Sequence, residues 1–215
     1  MEESTVIELA HDPVAEERYQ KNLFVLLSFP RSGSHWVRRM LGEITAIRSG
    51  LSATFGASLN HTSGFFPPAI NVDAQDWQTP MFVATHEPTF YPVENVRVFL
   101  RRNFKDVLKS VRKAEADVEQ HGGKMWFGGE EERVRVLWNR TTAFGCTHAD
   151  LVVDYEMTKQ NPATTILAIT KLAGMDITDD ELQQALEAGS RENMLREQSL
   201  IEKRKWDVIN KERVA

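Results

Sequence analysis

The chain has 215 residues, 41% of them hydrophobic, 27% charged and 9% aromatic, an ordinary composition for one folded α/β domain with a substantial core. Its net charge of −5 excludes a dedicated nucleic-acid binder, which needs a basic surface, but leaves room for a local basic pocket. The single Cys146 excludes an intramolecular disulfide and a cysteine-rich metal site.

The opening MEESTVIELAHDPVAEER is acidic and lacks the basic region and apolar stretch of a signal peptide. No run approaches the roughly 20 apolar residues of a membrane span, so the expectation is a soluble, cytoplasmic protein with no membrane or nucleic-acid partner. Residues 1–22 read as a polar lead-in, 23–195 as the domain and 196–215 as its charged tail. The run 23–29 (LFVLLSF) is continuously apolar, the pattern of a strand covered on both faces. Val37, Met40, Leu41 and Ile44 then recur at helical spacing. Residues 48–80 are rich in Gly, Ser, Thr and Pro and read as loop, with Phe65 and Phe66 in a local apolar knot. Buried strands are expected at 81–85 and 96–100.

Asn103 is placed to cap a helix whose inner stripe is Phe104, Val107, Leu108 and Val111. Two Gly-Gly pairs in 119–130 predict a loop around Trp126 and Phe127. A helix over 131–144 and a strand over 150–155 (DLVVDY) follow. Pro162 opens and Gly174 closes another helix, and Thr178 with Glu181 forms a capping box. The tail from Arg191 is charged and shows no pattern. Strands alternating with helices predict a mostly parallel central sheet flanked by helices in three layers.

The turn after the first strand, Phe29-Pro30-Arg31-Ser32-Gly33-Ser34-His35-Trp36, carries the first chemical signal. Small residues let successive backbone N–H groups face an anion, the helix N-terminus adds unpaired donors, and Arg31 adds a permanent positive charge. The spacing of a Walker A loop and its lysine are absent. FPRSGSHW resembles the 5′-phosphosulfate loop of sulfotransferases that use 3′-phosphoadenosine 5′-phosphosulfate (PAPS). That resemblance implies a P-loop-like α/β fold and a sulfuryl transfer. It puts Arg31 at the leaving oxygen, Ser32, Gly33, Ser34 and His35 on the 5′-phosphate, and Trp36 near the adenine. His35 stands where the family usually has Thr.

A second stretch, VFLRRNFKDVLKS (98–110), is similar to the family's 3′-phosphate motif. An arginine where a strand ends and a helix hydroxyl can converge on one phosphate, which selects Arg102 and Ser110. Lys105 and Lys109 are expected to face solvent, and Asp106 to serve the helix N-terminus. LVVDYEMTKQNP (151–162) resembles the segment that sets a tyrosine, here Tyr155, beside the adenine; a plain core role for Tyr155 is the other reading. GSRENML (189–195) resembles the segment that closes over the adenine, with Ser190 and Arg191 as candidates. The family's C-terminal Arg-Lys-Gly is absent, and Lys203-Arg204-Lys205-Trp206 supplies charge in its region.

Thr85-His86-Glu87-Pro88 resembles the family segment whose histidine is the general base. A hydroxyl attacks sulfur poorly unless its proton is removed, and an imidazole can take it near neutrality. The resemblance thus makes His86 the base and Arg31 the group that meets charge on the leaving oxygen, with PAPS as cosubstrate and no metal. Phe65, Phe66, Phe90, Tyr91, Trp126 and Phe127 are candidates to line a pocket for a small-molecule acceptor. A monomer or weak homodimer is expected. Two other readings share the strand–loop–helix start: a P-loop kinase of nucleotides or small molecules, and a catalytically inactive nucleotide-binding module.

Overall fold

The computed structural model describes residues 23–49, 81–88, 93–120, 127–196 and 199. The lead-in, the knot at Phe65 and Phe66, the candidates Phe90, Tyr91 and Trp126, and the basic run 203–206 lie outside them. Four strands, β1 (Leu23–Ser28), β2 (Met81–Thr85), β3 (Val96–Arg101) and β4 (Leu151–Asp154), form one parallel sheet in the order β2-β1-β3-β4. The apolar run of β1 behaves as its composition requires. Val25, Leu26 and Leu27 are completely buried because both faces are covered.

Alternation along β1 feeds two cores. Phe24 and Leu26 meet helix α1 (Ser34–Ser49), whose Val37, Met40, Leu41 and Ile44 form the predicted stripe, and helices α5 (Pro162–Leu172) and α6 (Asp179–Ala188) complete that layer. Val25 and Leu27 face the opposite layer with Phe99 and Phe144, the latter on helix α3 (Glu131–His148). α3 comes close enough that a Cβ on Gly145 would stand 2.3 Å from the Phe99 ring, so the residue there must be glycine. An irregularity in the β1–β3 register lets Arg97 turn outward, over the Phe24 ring and onto Asp150.

Local sequence rules hold at the caps. Asn103 Oδ1 accepts the Lys105 N–H at the start of helix α2 (Phe104–Gln120). Asn161 accepts from Thr164 at α5, Gly174 takes φ 70 beyond its end, and the Thr178–Glu181 box is complete at α6. Lys105 and Lys109 are exposed. Three expectations are corrected. α3 runs on to His148, because Gly145, a weak helix former, is where the helix packs against Phe99. β4 ends at Asp154, and Tyr155 instead opens a short helix, α4 (Tyr155–Gln160). Residues 191–196 are helical, started by Ser190, whose hydroxyl accepts the Asn193 N–H.

α2 extends its inner stripe one step beyond the apolar pattern. Val107, Val111 and then Glu115 are buried, and Glu115 Oε1 accepts the Phe127 backbone N–H at 2.6 Å. A carboxylate can replace an apolar residue here because it satisfies a donor that folding has removed from water. Phe127 is thereby fixed against Phe29, ring centroids 5.7 Å apart and nearly parallel. Glu115→Ala should cost about 1–3 kcal/mol in urea denaturation, by leaving that N–H unsatisfied, whereas Glu115→Gln keeps an acceptor and should retain most of the stability. Equal losses for the two variants would assign the site to packing rather than to the hydrogen bond.

Candidate active site

In this strand order the chain leaves β1 first toward β2 and later toward β3, so the crevice between β1 and β3 is the switch point where open parallel sheets hold ligands. Both sequence motifs end there. The turn after β1 places Arg31 at φ 71 and Gly33 at φ 89, the only left-handed pair in this part of the described chain. Gly33 has no room for a side chain, since a Cβ would meet the Tyr155 ring at 2.5 Å. Its carbonyl accepts the N–H groups of Trp36 and Val37 and so starts α1, leaving the first amides of that helix without intrahelical partners.

The hydroxyls of Ser32 and Ser34 are 2% and 1% exposed by residue and have no hydrogen-bond partner among the described residues; the same is true of the Arg102 Nε. Such atoms are costly unless a ligand satisfies them. Ser32 departs from expectation in one respect: its backbone N–H donates to the Phe29 carbonyl at 3.2 Å, so its hydroxyl is what remains for an anion.

Arg102, one residue beyond β3, donates from Nη1 to the Arg31 carbonyl at 2.9 Å and lies 4.2 Å over the Tyr155 ring. The Trp138 indole donates to the Arg102 carbonyl and fixes the strand end from α3. Ser110 on α2 accepts from Arg31 Nε at 3.1 Å. The two motifs were expected as separate anchors, yet the Arg31 side chain reaches from the first to the second. Arg101, beside Arg102 in sequence, instead makes a two-pronged pair with Asp154, at 2.7 and 2.9 Å. Trp36 is half-buried, edge-on to Tyr155 at 6.3 Å and close to Gly189. That brings the 189–190 turn to Trp36, although the Ser190 hydroxyl is engaged in its cap and Arg191 is exposed.

His86 follows β2 and its Nδ1 lies 2.8 Å from the Ser28 carbonyl and 3.1 Å from the Ser28 hydroxyl. A carbonyl only accepts, so Nδ1 carries the proton and Nε2 keeps its lone pair. The residue is exposed by accessible surface, yet protein atoms crowd the ring. That crowding holds its pKa below the ordinary 6.5; the Ser28 hydrogen bond opposes the shift and the Arg38 charge adds to it. His35 is lowered to about 4, although part of it is exposed, first by loss of water around the ring and then by Arg38, His86 and Arg31. Arg38 itself is 7% exposed, and burial brings it down to about 10. Two neutral imidazoles therefore stand among fixed guanidinium charges.

Beside His86 opens a cleft of about 110 Å³ walled by Phe29, Pro30, Pro88, Phe127 and Leu137. Of the aromatic pocket candidates, Phe127 is thus at this cleft, as a buried wall. Sequence reasoning missed Ser28, Arg38 and Trp138. Only Ser28, a polar residue inside an apolar strand, left a trace in the sequence.

No protein-family model and no curated protein matches the chain. Among solved structures it is similar to retinol dehydratase in complex with androsterone and inactive cofactor PAP, with 14% identity and a TM-score of 0.50 over 82% of this chain and 70% of that one. A crystal structure of mouse sulfotransferase SULT7A1 complexed with PAP aligns at 20% identity and TM-score 0.48, over 86% of this chain and 72% of that one. The likeness is one of fold. It extends the three-layer α/β architecture to a known structure and leaves the chemistry to the residues.

The tautomer and pKa of His86 are directly measurable. Ring ¹⁵N correlation spectra should show the Nδ1–H form with a midpoint below 6.5, moving upward in Arg38→Met as a positive neighbour is lost. An Nε2–H tautomer, or a midpoint above 6.5, would contradict the arrangement.

Proposed function

We propose that the protein transfers a sulfuryl group from PAPS to a hydroxyl of a small-molecule acceptor. The observation that carries this reading is a set of buried polar atoms with no partner among the described residues, Ser32 Oγ, Ser34 Oγ and Arg102 Nε, around a glycine turn next to a neutral His86. A polyanion with many acceptor oxygens fits that set, because the Arg102 guanidinium only donates and pairs most strongly with a negative acceptor, while the serine hydroxyls can donate to the same group. The PAP bound to a dehydratase of the same fold supports the choice of nucleotide.

On this reading the turn 32–35 and the start of α1 hold the 5′ end of PAPS, and Arg102 with Ser110 holds its 3′-phosphate. Trp36 and Tyr155 face the adenine, with the 189–191 turn nearby. When bound, PAPS supplies a sulfur whose bond to the phosphate oxygen breaks as a bond to the acceptor oxygen forms. His86 Nε2 takes the proton from the acceptor hydroxyl, and the Ser28 carbonyl steadies the imidazolium through Nδ1–H. Arg31 stands at the same turn and meets the negative charge that grows on the leaving oxygen. To serve there, its side chain leaves the Ser110 hydroxyl, which is then free for the 3′-phosphate.

A depressed pKa has a definite consequence for such a base. His86 is active when neutral, so the acid limb of kcat/KM falls below pH 6.5 and activity is full at neutrality. His86→Ala should lower transfer by about 10²–10⁴-fold while PAP affinity holds. The reaction itself is tested by mass spectrometry of a mixed acceptor library incubated with PAPS, where acceptors should gain one SO₃. Products with no such gain, or a His86→Ala protein at near wild-type rate, would refute the assignment.

A further inference from the structure

The cleft beside His86 is apolar along its walls but not at its mouth. Among the described residues that line it, only Glu87 and Arg140 carry fixed charge, and they face each other with Arg140 Nη2 3.6 Å from Glu87 Oε1. Neither residue has a role in the reading above. The Arg140 and Glu87 side chains are 59% and 56% exposed, so the pair is long, wet and weak, and a ligand carboxylate can take the guanidinium from it at small cost.

The two members are not equivalent. Glu87 belongs to a tight turn: its N–H donates to Thr85 Oγ1 at 3.0 Å, and that hydroxyl donates back to the Glu87 carbonyl at 3.2 Å. The backbone of this residue, next to the base, is therefore fixed. Arg140 extends a long, flexible arm from the rigid α3, with Leu137 and Thr141 of the same helix in the cleft wall. The surrounding charge also has a sign. His35 and His86 are neutral, Arg38 bears on both and Arg31 on His35, so fixed positive charge lies behind the cleft and disfavours an ammonium there. The anionic groups of a bound nucleotide are matched on the other side by Arg31, Arg102 and the α1 N-terminus.

We infer that Arg140 selects the acceptor, and that the preferred acceptor is a hydroxyl compound with an apolar body and a carboxylate. The carboxylate takes the place of Glu87 on the guanidinium, whose planar donor pair matches it. The apolar body lies against Phe29, Phe127 and Leu137, and the hydroxyl points to His86. Glu87 is then a placeholder: it keeps Arg140 over the cleft when empty and discourages anions that cannot compete for it. This inference rests on the sulfotransferase reading, since it needs a second substrate at His86.

The test uses three phenols that differ chiefly in charge: 4-hydroxyphenylacetate, 4-hydroxyphenylacetamide and tyramine. Calorimetric Kd values are measured on the full chain saturated with PAP, alongside initial rates with PAPS. The carboxylate should bind about five- to tenfold more tightly than the amide, and tyramine least. Arg140→Gln should bring the carboxylate-to-amide ratio close to one, Glu87→Gln should raise it, and added salt should lower it in the wild type. Tightest binding of tyramine, equal or absent binding of all three, or a ratio indifferent to Arg140→Gln overturns the inference while PAP still binds. A chain that does not bind PAP removes the sulfotransferase reading, and this one with it.

Discussion

One hydrogen bond, from Arg102 Nη1 to the Arg31 carbonyl, joins two turns 71 residues apart and organises the rest of the site. It exists because β1 and β3 are parallel neighbours whose C-terminal ends open on the same crevice. Everything else is hung from that junction. The bond helps hold Arg31 in a left-handed conformation, which a non-glycine residue adopts only when its surroundings demand it. Tyr155, on the far side, packs against Gly33 and under Arg102, so the helix after β4 closes the same corner. The buried hydroxyls of Ser32 and Ser34 lie within this frame with no partner among the described residues.

Electrostatics at the site follows from crowding as much as from charge. Two guanidinium groups act on the imidazoles, Arg38 on both and Arg31 on His35, in a chain whose overall charge is negative. Burial penalises further positive charge, and it does so first at the histidines, the weakest bases present. The outcome is useful for proton abstraction: His86 is neutral, and the Ser28 carbonyl fixes which nitrogen holds the lone pair. Ser28 can do both jobs, strand residue and orienting group, because β1 ends one residue before the turn.

How much of this was legible beforehand depends on the range of the interaction. The strands, the stripe of α1 and the caps at Asn103, Asn161 and Thr178 are local, set by residues three or four apart, and they stand where periodicity and capping chemistry put them. The glycine turn that starts α1 was visible for the same reason. What sequence could not supply was contact between distant elements. Arg31 on Ser110, Arg102 on Arg31, Glu115 under Phe127 and Arg140 opposite Glu87 each join residues that have no mutual signature in the chain. Tyr155 was misread as a strand end because its β-favouring side chain continues the pattern of DLVVDY, while its backbone already turns with Glu156 and Met157 into a helix.

The central claim is that the junction of the two motifs is built for a nucleotide with phosphates at both its 3′ and 5′ positions. Calorimetric affinity for adenosine 3′,5′-bisphosphate against adenosine 5′-phosphate, in the wild type and in Arg102→Ala, tests it most directly. The account predicts that the extra 3′-phosphate strengthens binding at least tenfold in the wild type, and that Arg102→Ala loses about 1.5–3 kcal/mol for the bisphosphate alone. Equal affinity for the two nucleotides, or the same loss for both in the variant, would contradict it.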